Sequence, residues 1–346
     1  MNPPADAAGS HVRGPHFVVG MPRAGTTYVV QRLNQHPEVA AFGESLFFAD
    51  AWVEPGPDGR YGPDQLETLR RRLVANPLDT NVGEHGPEPD RAGWMKCLGR
   101  PELARLVEEV FDRLDPPVSP ADVFSAYAAA IATAEGKSVA VEKTPRHVRH
   151  VDRILSWFPS ARIVVMIRGP EEFLLSYKHK GDTKSAERRD RAERRWHPIG
   201  VALLWRSYLR HAMAAVTDHP ASTLLVRNED LRADPDRVLG VIQEFIGVEV
   251  VALASVEEGS RANSSFAGER PGLDPAELAW CRWLAGQDAR GAGYEVDEAS
   301  AGVVDLARTG VGVVPWAIDN ALDARRRLDG SLLTYARDAI WRRGPV

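Results

Sequence analysis

The apolar residues of this chain fall into two alternating patterns, short continuous runs and runs with helical spacing. The short runs predict β-strands at residues 17–19, 139–141, 161–167 and 223–226. The third run, Ala-Arg-Ile-Val-Val-Met-Ile, is typical of a strand buried on both faces of a parallel sheet. Helical spacing predicts helices at residues 26–34, 101–114, 123–134, 171–177 and 236–246.

Strands that alternate with helices predict right-handed crossovers and a parallel sheet. We therefore expect an α/β protein with a P-loop-like three-layer fold, in which helices flank a central parallel sheet. Ligands of such sheets bind at the carboxyl ends of the strands. The loops after Val19, Val141, Ile167 and Val226 are therefore expected to meet at one site.

The composition along the chain predicts three parts. Residues 1–15 are small, polar and rich in proline, which is typical of a flexible tail. Residues 16–298 form the main domain, with two insertions or loops, 54–93 and 178–198, in which binding specificity is expected to lie. Residues 299–346 are predicted to be a helical extension packed on the core.

The charge and the cysteines exclude several classes of protein. The net charge is −5, so we expect no nucleic-acid partner. The two cysteines, Cys97 and Cys281, lie far apart and are interpreted as structural residues of a reducing compartment. No apolar run approaches the ~20 residues of a membrane-spanning helix, and no signal-peptide pattern is present. We therefore expect a cytoplasmic protein; its oligomeric state is left open.

The candidate chemistry begins at a glycine-bounded loop. Gly20 ends the first predicted strand, and Gly20 and Gly25 bracket four residues, as in a P-loop. Thr26 stands where the nucleotide-hydrolysing P-loop has its lysine. The loop therefore suits an anion but lacks the group that binds a β/γ-phosphate pair, which favours a nucleotide with a single 5′-phosphate. A tight strand-to-helix turn without a ligand is the alternative interpretation.

The predicted phosphate donors of this loop are side-chain and backbone groups at the start of a helix. A helix N-terminus presents N–H groups to an anion, hydroxyl groups add hydrogen bonds, and an arginine adds charge. The residues concerned are Arg23, Ala24, Gly25, Thr26 and Thr27.

A second phosphate site is predicted at the end of the buried strand. Arg168 follows this strand, and Ser176 lies eight positions later in the next helix. A guanidinium and a hydroxyl group placed there are able to hold a phosphate away from the first one. Each residue alone would be interpreted as an ordinary surface arginine or helical serine.

These segments resemble the sulfotransferases that depend on 3′-phosphoadenosine 5′-phosphosulfate (PAPS), in a bacterial branch that shares motifs with tyrosylprotein sulfotransferases. The matching segments occur in family order over roughly residues 16 to 275. They are Pro-Arg-Ala-Gly-Thr-Thr at 22–27, His-Pro-Glu-Val at 36–39, Gly-Glu at 43–44, Glu-Lys-Thr-Pro at 142–145, Phe-Pro-Ser-Ala-Arg-Ile-Val-Val-Met-Ile-Arg at 158–168 and Arg-Asn-Glu-Asp-Leu at 227–231.

The resemblance implies an activity and roles for individual residues. Such an enzyme transfers a sulfuryl group in line from PAPS to an acceptor hydroxyl and releases adenosine 3′,5′-bisphosphate. Glu44 takes the position of the general base, and Lys143 and Arg23 stabilise the sulfuryl and leaving groups. Arg23 to Thr27 bind the 5′-phosphosulfate. The 3′-phosphate is assigned to Arg168 and Ser176, and a distal loop with Arg261 and Ser265 closes over the 3′-phosphate or the adenine.

Other interpretations of the same residues stay open. An ATP-dependent P-loop phosphotransferase and a nucleotide-binding protein without catalysis are the competing functions. Glu44 could instead cap a helix, and His147, His150 or His179 could be the base. Asn228 stands where family members often carry a tyrosine, which removes or replaces that contact. No pattern of metal ligands is present, and no metal is expected.

The acceptor is expected to be a small molecule with a hydroxyl group, with a bacterial natural product or a glycolipid preferred. Alcohol, phenol, sugar and peptide tyrosine all stay open as acceptors. The two insertions, 54–93 and 178–198, are expected on the acceptor side, but they carry no recognisable motif. Residues 315–343 combine arginines with helical apolar spacing. Packing on the core is the preferred interpretation of this segment, and contact with an anionic membrane surface or an acidic partner is the alternative.

Overall fold

The computed structural model of the chain describes residues 12–74, 101–180, 186–254, 272–298 and 300–322. Several predictions fall outside the described residues. They concern Cys97, Arg261, Ser265, the tail up to residue 11, residues 75–93 of the first insertion, residues 181–185 of the second, and residues 323–346.

Five strands form one parallel sheet in the order β2-β3-β1-β4-β5. The strands are β1 (Arg13–Gly20), β2 (Val39–Gly43), β3 (Val139–Lys143), β4 (Ile163–Ile167) and β5 (Thr223–Arg227). Every residue of β4 is buried, as the continuous apolar run predicts. The predicted α/β fold with a central parallel sheet flanked by helices is confirmed.

The clearest departures from the sequence prediction are at β1 and β2. β1 begins at Arg13, before the predicted start at Phe17, because its first residues already pair with Val139 of β3. β2 has no predicted counterpart, since Val-Ala-Ala-Phe-Gly is short and does not alternate. It is a strand because it pairs with β3 along its whole length, from Val39 opposite Val139 to Gly43 opposite Lys143.

The helices begin at sequence signals that are local. Capping boxes start two of them, formed by Ser119 with Asp122 and by Asp274 with Glu277. The helices are α1 (Thr26–Leu33), α2 (Pro63–Val74), α3 (Pro101–Arg113), α4 (Pro120–Ala134), α5 (Val151–Trp157), α6 (Pro170–Lys178), α7 (Ala186–Arg194), α8 (Pro198–Asp218), α9 (Asn228–Ala233), α10 (Pro235–Ile246), α11 (Pro275–Gly291) and α12 (Val303–Leu322), with a 3₁₀ helix at Pro145–His150.

The chain divides into two compact units that are interleaved in sequence. The first unit consists of Met1–Val18, Thr27–Ile163 and Asp236–Val256. The second unit consists of Val19–Thr26, Val164–Pro235 and Glu257–Val346. The predicted division into a tail, a main domain and an extension stays a prediction.

The core of the first unit is a cluster of phenylalanine rings. The ring of Phe124 in α4 lies 5.0 Å from Phe47, 5.3 Å from Phe48 and 5.5 Å from Phe17, between centroids. Phe47 and Phe48 are fully buried. Aromatic pairs at these distances add to the free energy gained by burial. The cluster therefore anchors the irregular segment that follows β2.

The core of the second unit joins three helices through charged contacts as well as apolar ones. Lys178 of α6 lies 2.6 Å from Glu277 of α11, and Arg206 of α8 lies 2.5 Å from Asp288 of α11. Cys281 on α11 is a buried free thiol, and burial raises its pKa. Its position agrees with a structural role for this cysteine.

The C-terminal helix α12 packs through one aromatic side chain. Trp316 is buried and faces Gly200 of α8, where an added Cβ would meet the indole ring at 2.1 Å. Val304, Val311 and Ile318 of the same helix are exposed. The helix begins at Val303, ahead of the predicted segment, and it contains Pro315. None of the described helices combines the length and apolar character that a membrane crossing needs.

Replacing Gly20 with alanine is expected to destabilise the second unit. Gly20 has a φ of +124°, and an added Cβ would lie 2.1 Å from the carbonyl oxygen of Met166 on β4. Left-handed strain and a clash with backbone together cost on the order of 3 kcal/mol in the free energy of unfolding. Urea unfolding followed by circular dichroism measures the change.

Gly136→Ala is the matched control for this substitution. Gly136 also has a positive φ, +68°, but an added Cβ would meet nothing within 4 Å. We expect it to cost about 1 kcal/mol from backbone strain alone. Equal losses for the two variants would show that the close approach to Met166 does not constrain Gly20.

Candidate functional site

The glycine-bounded loop turns the chain from β1 into α1 through left-handed conformations. Gly25 has a φ of +86°, and Arg23, which is not a glycine, has a φ of +67°. Of the predicted donors, the Ala24 N–H donates to the Met21 carbonyl oxygen at 3.3 Å. Thr26 is buried and begins α1, where the first N–H groups of a helix have no partner within the helix.

Asn228 packs against this loop in the second unit. It is buried, and a Cβ on Gly25 would lie 2.6 Å from its side-chain nitrogen. The residue that replaces the family tyrosine therefore supports the loop, and Gly25 is required there for close approach as well as for its φ.

The second unit brings together three of the predicted phosphate-binding residues. The Nε of Arg23 donates to the hydroxyl oxygen of Ser176 at 3.1 Å. The Nη1 of Arg168 donates to the carbonyl oxygen of Arg23 at 2.8 Å. Arg168 and Ser176 are buried and Arg23 is partly buried, so two guanidinium groups and one hydroxyl group form a compact cationic cluster.

Arg168 is held in place from two sides. Its Nη2 donates to Glu172 at 2.9 Å, and its carbonyl oxygen accepts from the indole nitrogen of Trp205 at 2.7 Å. Its Nε is buried and has no hydrogen-bond partner in the described part of the chain. A buried N–H without a partner is costly, and an anion bound there would satisfy it.

The cluster has the electrostatics of an anion site. Burial lowers the pKa of Arg23 to about 10, and the neighbouring Arg168 acts in the same direction. Burial likewise lowers the pKa of Arg168 to about 10, against the opposing effect of Glu229. Both groups stay charged at neutral pH, so they attract a phosphate in a setting where water screens them little.

Two further predicted site residues, Glu44 and Lys143, lie in the first unit and contact each other. The Nζ of Lys143 lies 2.5 Å from Oε1 of Glu44, and 3.5 Å from the hydroxyl oxygen of Thr27. Lys143 is fully buried, whereas the side chain of Glu44 is 17% exposed. The carboxylate therefore has access to a molecule at the surface, and the ammonium lies behind it.

The helix-cap interpretation of Glu44 is not supported by the local structure. Residues 44–46 have no regular structure and the next five form turns, so no helix begins at Glu44. A carboxylate that caps no helix and contacts a buried lysine is able to accept a proton from a neighbouring hydroxyl group.

A buried carboxylate next to this pair had no role in the sequence prediction. Glu142 is fully buried, and its Oε1 accepts hydrogen bonds from the Ser45 N–H at 3.0 Å, the Ser45 hydroxyl at 2.9 Å and the Thr144 hydroxyl at 2.6 Å. An acidic residue inside an otherwise apolar strand was the available signal. Burial opposes the charge, but His147 and these hydrogen bonds outweigh it, and the pKa of Glu142 lies below its ordinary value.

His147 completes this network and is structural in consequence. It is fully buried, and its Nε2 accepts from the Phe48 N–H at 3.2 Å. The proton therefore belongs on Nδ1, which lies 3.1 Å from Oε2 of Glu142. An imidazole whose two nitrogens face Phe48 and Glu142 is poorly placed to serve as the catalytic base.

The described residues contain no group of three or more His, Cys, Asp or Glu side chains placed to hold a metal ion. Arg261 and Ser265, the distal candidates, lie outside the described part of the chain.

Comparison with known proteins gives one family and several remote structural likenesses. The model of the sulfotransferase family matches residues 15–252, which is more than half of the chain. A search of curated proteins gives no significant match.

Among solved structures, the sulfotransferase domain of the Synechococcus PCC 7002 olefin synthase is 17% identical. Its TM-score is 0.42, and the match covers 88% of this chain and 95% of that one. The sulfotransferase of Alicyclobacillus acidocaldarius is also 17% identical, with a TM-score of 0.38 and coverage of 81% and 100%.

The charge of Glu142 is expected to make stability depend on acid pH. Its pKa is depressed from 4.5 in the folded state, so its stabilising contribution is complete above that value and is lost as the pH falls below it. The difference in unfolding free energy between the parent and Glu142→Gln should therefore shrink from pH 6 to pH 4. Urea titrations at several pH values measure it, and a constant difference would contradict the assignment.

Proposed function

Since the chain belongs to the sulfotransferase family, we propose that it transfers the sulfuryl group of PAPS to the hydroxyl group of a small-molecule acceptor. The observation that carries the choice of donor is the cluster of Arg23, Arg168 and Ser176, in which the buried Arg168 Nε–H has no partner among the described residues. A phosphate on the 3′ position of a nucleotide would give this N–H an acceptor.

The residues fit this donor in number and in charge. We assign the 3′-phosphate to Arg168 and Ser176, and the 5′-phosphosulfate to the loop from Arg23 to Thr27. Arg261 and Ser265, which fall outside the described residues, stay candidates for the 3′-phosphate. Helix N-terminal N–H groups and arginines together bind phosphate without a metal ion.

Glu44 and Lys143 divide the chemistry of transfer. Glu44 accepts the proton of the acceptor hydroxyl while the hydroxyl oxygen forms a bond to sulfur. The bond from sulfur to the bridging oxygen breaks, and the electron pair passes to the phosphate of the departing adenosine 3′,5′-bisphosphate. Lys143, with Arg23, stabilises the negative charge that develops on this oxygen.

Two observations support this assignment over the competing functions. Thr26 occupies the position of the P-loop lysine, so an ATP-dependent phosphotransferase would lack its β/γ-phosphate contact within the loop. The contact of Lys143 with Glu44 at 2.5 Å supports a role in transfer chemistry, for which a protein that only binds a nucleotide has no need.

Binding of adenosine 3′,5′-bisphosphate tests the donor. Calorimetric titration without magnesium should show tight binding of this nucleotide and weak binding of ADP and ATP. Arg168→Ala should lower the affinity for the 3′,5′-bisphosphate by about 10- to 100-fold, because a charge-assisted hydrogen bond is lost. The affinity for ADP should change little. Preference for ATP that requires magnesium would favour the phosphotransferase instead.

Arg232→Ala is the control for this substitution. Arg232 lies 3.7 Å from the same Glu172 that contacts Arg168, but its side chain is 60% exposed. Its removal takes away one positive charge of the second unit without touching Ser176 or Arg23. If both variants lost affinity equally, the effect would be one of net charge and not of a phosphate contact.

Glu44→Gln should abolish most of the turnover while it leaves nucleotide binding intact. Loss of a general base lowers kcat by about 10²- to 10⁴-fold, and glutamine keeps the side-chain volume beside Lys143. Transfer from radiolabelled PAPS to a panel of alcohols and phenols measures turnover, and calorimetry measures binding. Glu109→Gln, a surface carboxylate 59% exposed, is the control. Equal activity of Glu44→Gln and the parent would remove Glu44 as the base.

A further inference from the structure

The structure contains a buried carboxylate, Glu142, whose hydrogen bonds reach the residues that follow Glu44 and Lys143 in the sequence. Glu142 accepts hydrogen bonds from Ser45, the residue after Glu44. It also accepts one from Thr144, the residue after Lys143. Given the proposed function, we infer that Glu142 is a positioning residue, which fixes the distance between the Glu44 carboxylate and the Lys143 ammonium.

The strand geometry explains how one residue controls both. Successive side chains of a strand point to opposite faces of the sheet, so Glu142 and Lys143 project from opposite faces of β3. Gly43 pairs with Lys143 in the register of β2 with β3. Glu142 therefore holds the N–H and hydroxyl of Ser45 and the hydroxyl of Thr144 from one face, while the ion pair forms on the other.

The irregular path of the chain after Gly43 makes this restraint necessary. Residues 44–46 belong to no helix or strand, so no ladder of backbone hydrogen bonds fixes Glu44. The hydrogen bonds at Ser45 replace that ladder. A second bond, from the Leu46 N–H to the Thr144 hydroxyl at 3.3 Å, links the same two segments.

Glutamine cannot take the place of Glu142 in this network. If its oxygen faces Ser45 and Thr144, its amide donors face the Nδ1 proton of His147. Moving that proton to Nε2 would relieve this conflict but would set a donor against the Phe48 N–H, which now donates to Nε2 at 3.2 Å. Either arrangement leaves two buried donors facing each other, so the segment that carries Glu44 has to shift.

Asp288→Asn provides the matched control. Asp288 is also a buried carboxylate, 2.5 Å from Arg206 in the second unit. Its substitution removes a buried charge and lowers stability without touching Ser45, Thr144 or the ion pair. It therefore shows what destabilisation alone does to any measured property.

The first readout does not depend on activity. Lys143 is fully buried in the parent, and its modification by an amine-reactive ester, followed by mass spectrometry, reports how well it is held. Glu142→Gln should raise the rate of Lys143 modification about tenfold, whereas Asp288→Asn should leave that rate unchanged. A rate unchanged by Glu142→Gln, or raised equally by both variants, would overturn the positioning role.

The second readout is a double-mutant cycle on sulfuryl transfer. Glu142→Gln should lower kcat about 100-fold, because a small misplacement of reacting groups has that effect, and should leave the affinity for adenosine 3′,5′-bisphosphate unchanged. In the Glu44→Gln background the same substitution should lower kcat little further, since the carboxylate to be positioned is gone. A purely structural role would lower kcat by the same factor in both backgrounds.

Thr144 offers a conservative rescue. Thr144→Val removes the hydroxyl that donates to Glu142 and should lower kcat about tenfold, while Thr144→Ser keeps it and should restore the parent value within about threefold. If the parent transfers no sulfuryl group but Glu142→Gln still exposes Lys143, the proposed function fails and the positioning role stands. If transfer occurs but Glu142→Gln alters neither readout, only the positioning role fails.

Discussion

Two consecutive buried charges at the end of β3 are the constraint on which the first unit depends. Glu142 and Lys143 are both fully withdrawn from solvent, and charges in an interior are tolerated only with partners. One partner of each comes from the same short segment, because Glu44 contacts Lys143 and Ser45 contacts Glu142. The chain after β2 therefore follows a path set by these contacts and by the phenylalanine cluster beneath it.

The second unit meets a different electrostatic demand. Two arginines have pKa values lowered by burial; Arg23 contacts Ser176, Arg168 contacts the Arg23 carbonyl oxygen, and the Arg168 Nε–H has no partner among the described residues. A buried N–H without a partner costs free energy. The anion that we propose for this cluster would recover that cost, and its binding would then stabilise the folded state.

The sequence predicts much of this fold because its signals are local. The apolar run at 161–167 and the helical spacing after each strand predict a parallel sheet flanked by helices, but not the order of its strands. β2 escapes prediction, since its residues form a strand through pairing with β3 and not through their own propensity. The same limit hides Glu142. An acidic residue in a strand becomes interpretable only when Ser45, distant in sequence, is placed against it.

The position of the Lys143 ammonium is understood only when sequence and structure are considered together. A P-loop with lysine carries its cation within the loop, and here Thr26 leaves that position without charge. Lys143, from β3, lies 3.5 Å from the hydroxyl of the next residue, Thr27. A lysine supplied by a neighbouring strand also contacts Glu44, which a loop lysine with its phosphate partners would not need to do. A single buried ammonium of the first unit therefore links Glu44 with Thr27 of α1.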